Sequence, residues 1–177
     1  MKKISFGCNR VHTVLVLNCI LLMVCALAGC YSFTGGNSLP EHLKTLYIPP
    51  VTDNSGLGNS QFRDAMSQFL VQKFRNDNSL RLVESGGDSR LSVTMLPISE
   101  AAVSIQPGER ERERQLTMTM DVEFYDAVLK KQMWKKQFSD KQNYNVATDP
   151  RNERDRAVRI ILDRLSDQIL VSTISNW

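Results

Sequence analysis

Residues 116–124 read Leu-Thr-Met-Thr-Met-Asp-Val-Glu-Phe, with Leu116, Met118, Met120, Val122 and Phe124 alternating strictly with Thr117, Thr119, Asp121 and Glu123. Side chains of an extended chain point to opposite faces in turn, so five consecutive apolar positions face a core while the other side stays wet. Burying each of those larger side chains contributes roughly 1.5 to 3 kcal/mol before conformational entropy is set against it. A register slip of one residue exposes all five. This strand is the centre from which the rest of the chain is placed.

Upstream, Leu91, Val93 and Met95 alternate with Ser92 and Thr94 before Pro97, and apolar residues resume at Ala101, Val103 and Ile105. The pattern predicts a long strand with a bulge or bend near Pro97. Leu80 to Val83 reads as another strand, closed by Gly86-Gly87, and Leu46 and Ile48 mark a short one. The latter stops at Pro49-Pro50, which fix φ and lack an amide proton. The following segment, VTDNSGLGNS, reads as loop. Phe62, Met66, Phe69, Leu70 and Phe74 then recur at three- and four-residue steps, opposite Arg63, Asp64, Gln68, Lys73 and Arg75. That spacing predicts an amphipathic helix capped by Asn59 or Ser60 and left through Asn76-Asp77-Asn78. A strand, helix, strand unit of this kind calls for parallel strands and a right-handed crossover.

Downstream, a turn around Ala127 to Lys131 leads into a strand from about Met133 to Tyr144, with Trp134 and Phe138 on one side. Asp149-Pro150 supplies a cap and a proline at the first helical position. Val158, Ile161, Leu162, Leu165 and Ile169 mark a long amphipathic helix whose wet side carries Arg151, Arg154, Arg156, Asp163 and Asp167. The predicted fold class is α+β, in two layers: a mixed sheet of four to five strands with two helices packed on one face.

The first 29 residues have a different character. Lys2, Lys3 and Arg10 precede VHTVLVLNCILLMVCAL (11–27), an apolar run in the layout of an export signal. Leu27-Ala28-Gly29-Cys30 ends that run and resembles the bacterial lipobox, whose cysteine is alkylated by diacylglycerol before cleavage. Cys30 is therefore expected to be a lipid attachment site, and multiple acyl chains hold a protein stably at a bilayer where one holds it marginally. Residue 31 is Tyr, not the Asp associated with inner-membrane retention, so the expected location is the outer membrane. The expected organisation is a signal peptide over 1–29, an acylated cysteine and tether over 30–42, and one domain over 43–177.

Cleavage before Cys30 removes three of the 22 basic residues and none of the 19 acidic ones, leaving a formally neutral chain of 148 residues. A uniformly basic surface for nucleic acid is not supported. Cys8, Cys19 and Cys25 leave with the signal, so no internal disulfide forms. One histidine, His42, and one cysteine remain, which argues against a metal cluster, and no GxSxG, HExxH or phosphate-cradling glycine pattern occurs. His42, beside Glu41, reads as a solvated tether residue. No cofactor and no enzymatic activity are expected.

The most unusual stretch is Pro107-Gly108-Glu109-Arg110-Glu111-Arg112-Glu113-Arg114. On an extended ribbon Arg110, Arg112 and Arg114 share one side and the glutamates the other. Such a row is either a solvated hairpin tip kept from edge pairing by charge, or a row of guanidinium groups that takes phosphate or carboxylate bidentately. Lys130, Lys131, Lys135 and Lys136 form a second basic cluster around Trp134 at the next hairpin.

With the lipobox, LKTLYIPPVTDNSG, FRDAMSQFLVQKF, NSLRLVE, TMTMDVEFYDAVLKKQMW and the long last helix in this order, the chain resembles the LptE family of lipopolysaccharide-assembly lipoproteins, from Leu27 to about Ile169. The resemblance implies a small sheet with two helices. It also implies a lipoprotein seated in or against the outer-membrane β-barrel LptD, assisting its assembly and the delivery of lipopolysaccharide to the outer leaflet. Arg110, Arg112, Arg114, Lys130 and Lys131 are then candidate contacts to lipopolysaccharide or the partner. Two other readings stay open. An activator of a periplasmic peptidoglycan synthase also begins with a strand, an IPPVTDNSG-like loop and a helix, and a periplasmic hydrolase would draw on Asp53 or His42.

Overall fold

The computed structural model describes residues 39–56, 60–103 and 112–175. The export segment, Cys30 and Arg110 lie outside them, as do Asn59 and Ile105.

In β6 (Glu113–Asp126) all five apolar positions of the alternating stretch are buried and the residues between them are partly exposed. β7 (Lys131–Asn145) runs back antiparallel along its whole length, with Glu113 opposite Asn145 and Asp126 opposite Lys131. Since β7 takes one edge of β6 from end to end, the remaining strands pair on the other edge. There β4 (Ser89–Met95) and β5 (Ser99–Ala102) lie in line, Met95 opposite Met120 and Ser99 opposite Thr117. Four steps along one strand match three along the other, so one extra residue sits within Leu96–Ile98. This is the bulge expected at Pro97, which has no amide proton for the ladder. Beyond it the expectation of a renewed apolar face fails: all of β5 is exposed and Val103 is 42% exposed.

β1 (Thr45–Tyr47) pairs parallel with β3 (Arg81–Val83) on one side and with β4 on the other. β2 (Thr52–Asp53), in the segment read as loop, also pairs parallel with β4, Thr52 opposite Thr94. Pro49-Pro50 separates β1 from β2 along the same edge of β4. The strands thus follow five lines, in the order β3, β1 with β2, β4 with β5, β6 and β7. A mixed sheet broken at its prolines is the α+β architecture the periodicity calls for.

Helix α1 (Ser60–Asp77) buries Phe62, Ala65, Met66, Leu70 and Phe74, and α2 (Pro150–Ser175) buries Ala157, Val158, Ile161, Leu162, Leu165 and Ile169. Both join the inward residues of β4 and β6 in one core. α1 ends as its sequence predicts: Asn78 turns left-handed at φ 60°, and its amide donates to the Phe74 carbonyl at 3.1 Å. Asp149 caps α2 by accepting from the Asn152 amide at 3.2 Å. Lys73 of α1 reaches Asp163 at 2.9 Å and Asp167 at 2.8 Å on α2. Among the described residues no helix is long and apolar enough to cross a membrane.

The folded body begins earlier than Leu43. Leu39 packs against the core, the Leu43 amide donates to the Pro40 carbonyl at 2.9 Å, and His42 is tied to Asp126. The last residues of the expected tether are part of the domain.

Candidate functional site

β6 places two different charged constellations at its two ends. At its N-terminal end Arg114 falls in the core-facing register two residues before Leu116, opposite Tyr144 of β7. Glu100 of β5 joins the elements here. Its Oε1 accepts from Arg154 Nε at 2.5 Å, its Oε2 accepts from the Tyr144 hydroxyl at 2.8 Å, and Arg114 lies 4.0 Å away. Burial pushes the Tyr144 phenol up, its bond to Glu100 adds to this, and Arg114 works in the opposite direction. These residues line an open cleft of about 530 Å³ together with Arg151 and Asp155 at the start of α2. Three guanidinium groups face two carboxylates, so the cleft is net positive. Guanidinium forks match phosphate and carboxylate oxygens, which makes an anionic group the ligand such a cleft favours. Arg112, just before β6, is exposed, and its carbonyl accepts from the Val146 amide at 2.9 Å.

At the C-terminal end of β6, Asp126 is fully buried. Its Oδ1 accepts from the Val128 amide at 2.9 Å and the Leu129 amide at 2.8 Å, fixing the turn Ala127–Lys130, in which Lys130 takes φ 52°. Its Oδ2 meets His42 Nε2 at 2.5 Å. Burial works to raise the Asp126 carboxyl, but the Leu129 amide, the hydrogen bond and charge of His42, and the Val128 amide outweigh it and hold the group below the usual carboxylate range. Beside it, Asp88 is also held low, first by the Thr45 hydroxyl and then by the Lys44 amide, against some desolvation, with the Thr45 amide and His42 adding to the effect. Lys130 and Lys131 are exposed here.

The five basic residues singled out from sequence therefore do not form one patch. Arg112 and Arg114 lie at one end of the hairpin and Lys130 and Lys131 at the other, separated by the length of β6, about 40 Å at the usual rise per residue. Lys135 pairs with Asp121 at 3.0 Å, and Lys136 sits over the Trp134 ring at 5.4 Å. Sequence reading missed Glu100, Tyr144, Arg151 and Arg154 as parts of one cleft, because they come from β5, β7 and α2. His42 is exposed, as expected of a solvated residue, but its contact with Asp126 was not foreseen. Asp53 accepts from the Ser55 amide, and Asp121 meets Lys135. No hydrogen bond joins Asp53 to His42, whose partner is Asp126.

The family model for LptE, described as lipopolysaccharide-assembly, matches residues 43–172. The chain belongs to the LptE family. The match begins at Leu43 and ends within α2, so it takes in both ends of the hairpin. Among solved structures, the LptE domain is similar to rare lipoprotein B from Shewanella oneidensis, with TM-score 0.52 and 14% identity over 72% of this chain and 92% of that one. It is similar to a minor lipoprotein from Acinetobacter baumannii, with TM-score 0.51 and 14% identity over 74% and 92% of the two chains. Lipoprotein B from Nitrosomonas europaea gives TM-score 0.52 and 13% identity over 78% and 90%. Likenesses at such identities carry the fold and no residue roles. No curated protein sequence matches the chain.

Proposed function

We propose that this protein is a non-enzymatic lipoprotein, held on the periplasmic side of the outer membrane through acylated Cys30. In this reading it partners the β-barrel LptD in its assembly and in moving lipopolysaccharide into the outer leaflet. The family match over residues 43–172 carries the reading. The lipobox-like Leu27-Ala28-Gly29-Cys30 supports the anchor, and the arginine cleft supports a role in holding an anionic group.

Lipid A bears phosphates, and Arg114, Arg151 and Arg154 line one cleft with guanidinium groups of the kind that take phosphate in pairs of hydrogen bonds, with exposed Arg112 just before β6 as a further contact. Arg110, next in the sequence, belongs to the same assignment. Glu100 restrains Arg114 and Arg154 in this arrangement, so the cleft acts by positioning and charge, and no group in it is proposed to attack or to transfer a proton. Lys130 and Lys131, at the far end of the hairpin, are assigned to a different contact. Depleting the protein while following surface lipopolysaccharide and the folded fraction of LptD tests the function. Both should fall, and unchanged levels of both would remove this reading.

A further inference from the structure

The turn between β6 and β7 presents Val128 and Leu129 to solvent, 54% and 63% exposed. They stand at consecutive positions, directly followed by Lys130 and Lys131. An isolated exposed apolar residue is ordinary, but two at the tip of a long hairpin, next to two cations, form a small apolar wedge with a basic collar. The lysines here differ from their neighbours on β7. Lys135 is engaged with Asp121 and Lys136 with the Trp134 ring, whereas among the described residues neither Lys130 nor Lys131 has an acidic partner. The tip is also fixed in shape, because Asp126 accepts both the Val128 and Leu129 amides and is itself held by His42.

The same contact locates where the chain enters the domain. His42 touches the base of the turn, and Leu39 already packs on the core. Nine Cα-to-Cα steps lead from Cys30 to Leu39, a reach of at most about 32 Å when fully extended.

We infer that the Val128-Leu129-Lys130-Lys131 tip docks on the phospholipid surface to which the chain is tethered, the two apolar side chains entering the headgroup region and the two ammonium groups meeting anionic headgroups. Apolar residues flanked by lysines suit such an interface, where buried methylenes and attraction to acidic lipid act together. The arginine cleft then points away from the bilayer surface by the length of β6. This placement rests on the reading of Cys30 as the lipid anchor, but the docking itself is testable apart from it.

The processed protein carrying Leu129→Cys, labelled with a nitroxide, is reconstituted into phosphatidylcholine vesicles containing a minority of phosphatidylglycerol. Accessibility to oxygen and to a water-soluble nickel complex is measured by electron spin resonance, with Ala147→Cys past the other end of β7 as reference, and mass spectrometry reads the state of Cys30. Docking predicts that the label at 129 gains oxygen contact and loses nickel contact several-fold relative to 147. It also predicts that Lys130→Glu with Lys131→Glu abolishes this difference without changing the melting temperature. Equal nickel access at both sites overturns the docking whatever the state of Cys30. Protection at 129 that appears only when LptD is added overturns it too and assigns the tip to a protein contact. Protection at 129 in a protein whose Cys30 is unmodified upholds the docking and refutes the anchor.

Discussion

Asp126 is the sixth buried position of β6, after five apolar ones, and it is a carboxylate. The alternation that buries Phe124 buries Asp126 as well, so the sequence already signals that this group needs partners, since an unpaired buried charge is costly. What it does not reveal is His42, which lies 84 residues away and meets Asp126 only once the sheet has formed. Asp126 and Asp88 are both held below their ordinary values. On acidification the unfolded chain therefore takes up these protons first. Their contribution to stability is complete above about pH 4 and is lost as pH falls through the folded-state values. Asp126→Asn keeps an oxygen for the Val128 and Leu129 amides but loses the charge facing His42. It should cost about 1 to 3 kcal/mol at neutral pH, and its urea midpoint should fall less steeply than that of the parent below pH 4. Parallel slopes for the two proteins would remove Asp126 from the acid response.

The elements legible in sequence were those with several periods of one pattern. β6, α1 and α2 each repeat an apolar spacing often enough to be read, and the breaks at Pro49-Pro50 and Pro97 follow from the missing amide proton. β2 has only two residues, too few for any alternation, and exists because β4 offers it an edge. β5 has apolar residues without a core behind them, since composition does not say which layer covers a strand end. The approach of β1, β3 and β4 rests on a close fit at Gly87. A Cβ there would lie 2.9 Å from the Tyr47 nitrogen, 3.0 Å from the Ser89 oxygen and 3.0 Å from Val83 Cγ2. Two of those three are backbone atoms that cannot rotate away. Gly87→Ala should destabilise the fold by about 1 to 3 kcal/mol in urea unfolding, the cost of overpacking, while a neutral result would show that the strands part there easily.

At the scale of the whole molecule, one hairpin separates two charged ends. The arginine cleft could not be assembled from sequence because its members come from four elements, and the charge alternation of 107–114 drew attention to the right end for only part of the reason. Arg114 is held in the cleft by residues from β5 and β7, while Arg112 stands exposed beside it. Arg112→Glu combined with Arg151→Glu leaves the Glu100 contacts intact. It should reduce binding of purified lipopolysaccharide at least several-fold in a salt-sensitive manner with no change in melting temperature, as expected for exposed charges that serve a ligand. Equal binding by the variant would detach the cleft from lipopolysaccharide. The central claim is the proposed partnership of this domain with the LptD barrel. Native mass spectrometry of the complex extracted in mild detergent tests it most directly: the account predicts the acylated chain in a defined assembly with the LptD barrel, and recovery of the chain with a penicillin-binding enzyme instead would contradict it.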